Sequence, residues 1–227
     1  MDGDEGRLRR WRSDVGAARA AGAVPAASLD GAGRRLLDRW REAHRRYHGV
    51  AHLDAVLVAL DTLVAATPGS ATAAVPARLA AWFHDAVHEG RAGDDEAASA
   101  RLAGAELTAL GLPDEGVAEV SRLVLLTAGH QAAPGDLAGA LLCDADLSIL
   151  GSEPAAYDRY CRAVRQEYAD LPDDAFRAGR LAVLRGLRSL DPLFRTVAAQ
   201  RLWQHQARAN LDREIDRLSP TAAPPPR

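Results

Sequence analysis

The 227-residue chain contains no lysine; all 28 of its basic residues are arginine. Alanine, glycine, aspartate, leucine and proline abound while isoleucine, asparagine and phenylalanine are scarce. This is the mark of a high-GC coding bias rather than of an arginine-dependent binding function. The net charge of -3 gives no electrostatic reason to expect nucleic acid or an anionic membrane as a partner. Only two cysteines occur, Cys143 and Cys161, in neither a C-x-x-C pair nor a dense framework. That excludes a disulfide scaffold and points to a reducing cytoplasm. No apolar run approaches membrane-spanning length, and the opening MDGDEGRLRRWRSD lacks the apolar stretch of a secretory signal. Convincing period-2 alternation is missing, which argues against a sheet, and no repeat of solenoid length is found.

What remains is helical periodicity. With 48% hydrophobic and 26% charged residues the chain can bury one sizeable core. The spacing predicts an all-α, single-domain bundle of about eight or nine helices over residues 31–218. Residues 1–30 read as an N-terminal extension, weakly structured or with one short helix near Leu8 to Ala21. The tail SPTAAPPPR, 219–227, reads as disordered. A helix is expected from Arg34 to about Tyr47, with Arg45 and Arg46 in its last turn, where cations suit the dipole. Val50, Leu53, Leu57, Leu60 and Val64 mark one face of the next helix. Pro76 should open the following one, which carries His84-Asp85. Further helices are expected at 94–110, 114–127 and 137–150, the last ended by Gly151, and two or three more between Pro154 and Leu218.

Several polar residues do not suit an inert core. Six of the seven histidines lie between residues 44 and 130. His52 sits beside the apolar stripe of its helix. His84 and Asp85 are adjacent, a nitrogen donor next to a hard oxygen donor, a mix that suits Zn, Mn or Fe better than Ca or Mg. His130 closes a helix in LTAGH. In LLCDADLSILG, Asp144 and Asp146 interrupt an otherwise apolar helix, and a buried carboxylate is costly without a cation or hydrogen bonds. Two residues apart on a helix is roughly 200°, so only one of the two can face a given ion, and the other is a cap or a supporting partner.

In order, the chain presents His, His-Asp and Asp, each on its own helix. Together with RRYHGVAHL, FHDAVHEG, DDEAASA, LTAGH, DADLSILG and YDRYCRAVRQEY, this resembles the HD-domain superfamily of metal-dependent phosphohydrolases over about residues 35–215. The resemblance implies a mononuclear divalent metal (Mn, Zn, Fe, Ni, Co or Mg) held by His52, His84, Asp85 and Asp146, with ADLSIL favouring Asp146 over Asp144. It implies hydrolysis of a small phosphorylated, nucleotide-like substrate by a metal-activated water. Asp85, His130 and Glu96 then become candidate catalytic residues, and Arg45, Arg46, His48 and Arg165 candidate phosphate binders. His88 departs from the subgroup, where an aromatic residue is more usual. Three rival readings are a zincin-like protease using His84 and His88 at i, i+4, an HD-fold di-iron oxygenase that adds His88 and His130 to the ligands, and a regulator that binds metal or nucleotide without turnover. A zincin needs Glu where Asp85 stands.

Overall fold

The computed structural model describes residues 3–19, 25–91 and 93–219, and among them every regular element is helical. Nine helices precede the last: α1 (Gly3–Ala18), α2 (Ala26–Arg39), α3 (Val50–Ala66), α4 (Ala71–Phe83), α5 (Asp94–Ala109), α6 (Asp114–Leu126), α7 (Leu137–Asp146), α8 (Pro154–Glu167) and α9 (Asp173–Ser189). A final run, α10, is α-helical over Val197–Ala199, π-wound over Gln200–Gln204 and α-helical again over His205–Leu218. Apart from Ser219, the tail expected to be disordered lies outside the described residues.

The bundle is assembled around α4. From Leu79 to Phe83 every side chain of α4 is buried, and small Ala74, Ala77, Ala80 and Ala81 let neighbours approach closely. A helical stretch apolar on all sides belongs in the interior, and α4 is in contact with α1, α3, α5, α6 and α7. Its tryptophan meets α1 edge-on: the Trp11 and Trp82 rings lie 5.5 Å apart at 72°. The polar ends of these rings are satisfied, as burial requires. Trp11 Nε1 donates to Leu29 O (2.8 Å), Trp82 Nε1 to Asp14 Oδ2 (3.0 Å) and Trp40 Nε1 to the Trp82 carbonyl (3.0 Å).

Helix α1 is therefore not an appendage to the domain. Leu8, Trp11 and Val15 of α1 are fully buried in the common core. The sequence disguises this helix because its buried face is short and Arg and Asp surround it. The helix expected over 34–47 also differs. α2 runs earlier and stops at Arg39, so Arg45 and Arg46 lie in a loop, not in a helical last turn. Its unwinding lets the Arg45 guanidinium reach carbonyls at the end of α4. Helix α4 begins at Ala71, so that Pro76 lies inside it rather than at its start. The alanine-rich turn ahead of Pro76 favours helix strongly enough to extend it.

The helix expected over 137–150 is α-helical only to Asp146 and tightens into a 3-10 turn over Leu147–Gly151. Gly151 marks a close approach more than a chain stop. A Cβ there would lie 2.4 Å from Trp203 Cβ on α10, so no larger residue fits.

Candidate metal centre

Four side chains from three parts of the bundle converge at one end of α4. His52 stands in the first turn of α3, on the face that buries Leu53, Val56, Leu57 and Leu60. His84 caps α4 and Asp85 follows it. Asp146 is the last residue of α7. His52 Nε2 lies 3.1 Å from His84 Nε2, 3.1 Å from Asp146 Oδ1 and 3.6 Å from Asp85 Oδ2. His84 Nε2 lies 3.2 Å from Asp85 Oδ2 and 3.5 Å from Asp146 Oδ1. Donors each about 2.1 Å from an ion stand about 3.0 Å apart at right angles and about 3.4 Å apart in a tetrahedron. The five observed separations, 3.1–3.6 Å, run from just above the first value to just above the second, so His52, His84 and Asp85 can hold a divalent ion, with Asp146 Oδ1 beside both histidines.

The tautomer of His84 fits as well. Its Nδ1 is 2.8 Å from the Ala81 carbonyl. A carbonyl only accepts, so Nδ1 carries the proton and Nε2 offers its lone pair, the orientation that a metal-binding imidazole usually receives from such a partner. Electrostatics agree. Burial works against charge on Asp85 and Asp146, yet the His84 ring and hydrogen bonds from neighbouring imidazoles hold both carboxyls well below the usual carboxylate range. Burial likewise opposes protonation of His84, but the same two carboxylates lift it well above the ordinary imidazole value. The pocket is built for positive charge, supplied by protons or by a metal ion.

His130 supports this centre from outside. Its Nε2 lies 2.7 Å from Asp146 Oδ2, the oxygen turned away from His52 and His84. The residue has φ of 51°, a left-handed conformation uncommon for a side-chain-bearing residue, and its amide N–H closes α6 onto the Leu126 carbonyl at 2.9 Å. Asp144 faces the opposite way. Its two oxygens accept the backbone N–H groups of Arg195 (2.8 Å) and Thr196 (2.7 Å) just ahead of α10. One aspartate thus meets the histidines and the other anchors a chain segment, as expected of residues roughly 200° apart on a helix.

The centre forms part of the lining of a cavity of about 440 Å³. His48, His88, His130 and Glu96 line it too, as do Tyr47, Tyr160, Tyr168 and Arg180. Glu96 also caps α5, its Oε2 accepting the Gly93 N–H at 2.5 Å. The three arginines expected to bind phosphate are elsewhere. Arg45 is buried, and its guanidinium donates to the carbonyls of His48, Asp85 and Ala86 and to Glu42. Arg46 points its guanidinium at the Ala43 and Arg45 carbonyls. Arg165 bonds the Tyr168 and Leu171 carbonyls and Asp173, and lies over the Phe176 ring. None of the three lines the cavity; each is satisfied by carbonyls close in sequence or by the chain it braces.

Two residues outside the expected set take prominent positions. Arg180 borders the cavity, pairs with Glu214 at 2.9 Å and lies over the Tyr160 ring at 5.1 Å. Glu167 is buried at the side chain and bonded to His48 and His88. A signal for Glu167 did exist, because a carboxylate in the last turn of α8 sits at the negative end of the helix dipole. Such a placement calls for a tertiary partner. Arg180 carried no comparable signal, since arginines are spread along the whole of α9.

The fold and site define an all-α protein with two groups of His, Asp and Glu side chains that can hold a metal ion, His52-His84-Asp85 and His48-His88-Glu167. The chain matches no family model, no curated protein and no solved structure. Among the described residues no helix is long and apolar enough to cross a membrane.

Proposed function

We propose that this protein is a metal-dependent phosphohydrolase of the HD type, acting on a small phosphorylated, nucleotide-like substrate. The observation that carries the reading is the convergence of His52, His84, Asp85 and Asp146 at metal-ligand spacing on the wall of a cavity large enough for such a molecule. A divalent ion bound there supplies Lewis-acid polarisation of a phosphoryl oxygen and makes a water acidic enough to attack near neutral pH. The protein's own groups do the rest. His130 holds Asp146 through Oδ2 and is the nearest imidazole able to pass a proton at that oxygen. Asp85, with Oδ2 turned to the histidines, keeps its other oxygen for orienting a water. The rings of Tyr47, Tyr160 and Tyr168 and the side chains of Ile149, Val164 and Leu187 offer an apolar wall for the body of the substrate. Arg180, which borders the cavity while paired with Glu214, supplies the guanidinium that meets phosphate.

The test is a phosphate-release screen over nucleotides and small phosphoesters, with Mn, Co, Ni or Mg added, comparing the native protein with Asp146→Ala. Turnover that needs metal and vanishes in the variant supports the reading. Tight metal binding with no hydrolysis of any phosphoester would make the protein a regulator instead. Bound iron with an oxygen-dependent spectrum would make it an oxygenase.

A further inference from the structure

His48, His88 and Glu167 form a second convergence, with the two histidines lining the same cavity, and the centre above does not use it. They come from three places: the loop that ends at Gly49, the loop after α4 and the last residue of α8. Glu167 Oε2 is filled by the backbone N–H groups of Arg46 (2.6 Å), Tyr47 (2.6 Å) and His48 (3.1 Å). Its other oxygen, Oε1, receives both rings, His48 Nδ1 at 2.5 Å and His88 Nε2 at 2.7 Å. The two rings lie 4.2 Å apart at 36°. One donor atom from each residue lies within 4.8 Å of the other two. The Glu167 side chain is only 3% exposed, and its side-chain partners are these imidazoles. A buried carboxylate faced by two rings is thus left with no arginine to balance it.

We infer that His48, His88 and Glu167 form a second divalent-metal site beside the centre at His52, His84, Asp85 and Asp146. Two imidazole nitrogens and one carboxylate oxygen suit a borderline transition metal such as Zn(II), Co(II) or Mn(II) and leave a coordination position open to the cavity. Each ring binds through the nitrogen that now faces Glu167 and carries its single proton on the other nitrogen, so neutral rings neither gain nor lose a proton. The ligand atoms spread from 2.5 and 2.7 Å to about 3.0–3.4 Å as the ion enters. Because the donors of the first centre already stand at metal-ligand spacing, the second is the weaker of the two. The His48 and His52 rings are 5.6 Å apart, so one anionic ligand can reach both ions. His88 makes the difference: an aromatic residue without a donor atom would leave only two ligands here. The inference concerns metal binding and stands apart from the hydrolase reading.

The experiment is titration of the metal-stripped, full-length protein with Co(II), read by visible absorption and by metal counting after free ion is removed. The native protein should take up two equivalents per chain, the second more weakly. His88→Phe should take up one, with the tighter affinity unchanged, and Asp146→Ala should keep only the weaker one. Glu167→Gln, which preserves the acceptor for the three backbone N–H groups, serves if His88→Phe does not fold. A single equivalent in the native protein, or two equivalents undiminished in His88→Phe and Glu167→Gln, overturns the second site. Two equivalents with no phosphoester hydrolysis would instead remove the proposed function and leave this site standing.

Discussion

Replacing Arg45 with methionine separates the role expected from sequence, phosphate binding, from the role the structure shows. The side chain of Arg45 is 1% exposed. Its Nη1 donates to the His48 carbonyl at 2.9 Å and the Asp85 carbonyl at 2.6 Å, and its Nη2 to the Ala86 carbonyl at 3.2 Å. Methionine keeps most of the aliphatic packing and strands these three acceptors. Glu42, the remaining partner, is about one-third exposed and turns to water. Each buried acceptor left without a donor costs about 1–3 kcal/mol, and partial relaxation brings the sum to about 3–5 kcal/mol. For a chain of this size that lowers the melting temperature by about 6–20 °C. The loop carrying His48 and the backbone of Asp85 lose their shared clamp, so metal affinity should fall as well. Thermal and urea unfolding of the metal-stripped protein, followed by circular dichroism, measure the first effect, and metal titration the second. An unchanged melting temperature and metal affinity, together with a raised KM for a phosphoester, would refute the clamp and restore Arg45 as a phosphate ligand.

Asp85→Ala and Asp146→Ala should each abolish binding at the four-residue centre, whereas Asp144→Ala should keep the ion and lose about 2–4 kcal/mol of stability as the amides of Arg195 and Thr196 lose their acceptors; equal metal loss at 144 and 146 would contradict this. His130→Ala should leave the metal count at saturation unchanged, weaken affinity by about 10–100-fold through the freed Asp146 oxygen and lower turnover further; loss of a whole equivalent would show His130 to be a ligand. Trp11→Ala should cost about 3–5 kcal/mol by denaturant melt, the amount typical of a deleted core aromatic, and a negligible change would return α1 to the status of an appendage. Burial, assisted by Glu214, pushes the Cys161 thiol up to about 11, and burial pushes the Cys143 thiol higher still. Iodoacetamide at pH 8 should therefore label neither thiol until the protein is unfolded, and rapid labelling of the native protein would be the contrary result.

Much of this molecule was written locally. Period-3.6 stripes and the lack of period-2 alternation determine an all-α fold, because a helix buries its apolar face whatever it packs against. The 100° turn per residue alone predicts that Asp144 and Asp146 point apart. The dipeptide His84-Asp85 and the odd carboxylates of an apolar helix marked the centre, since such groups are costly inside without a compensating charge. Other features depended on which surfaces meet. The start of α2 and its early end, the burial of α1 through Trp11, and the clamp made by Arg45 all depend on contacts across the bundle. An arginine's sequence neighbours do not reveal whether it meets phosphate or a carbonyl forty residues away. Glu167 is the sharpest case: its place at the end of α8 was locally unfavourable, and only tertiary packing supplied the two imidazoles and three backbone N–H groups that surround it. Spacing along a helix is fixed by its geometry, but the distance between donors on different helices is fixed only when the core that joins them has packed.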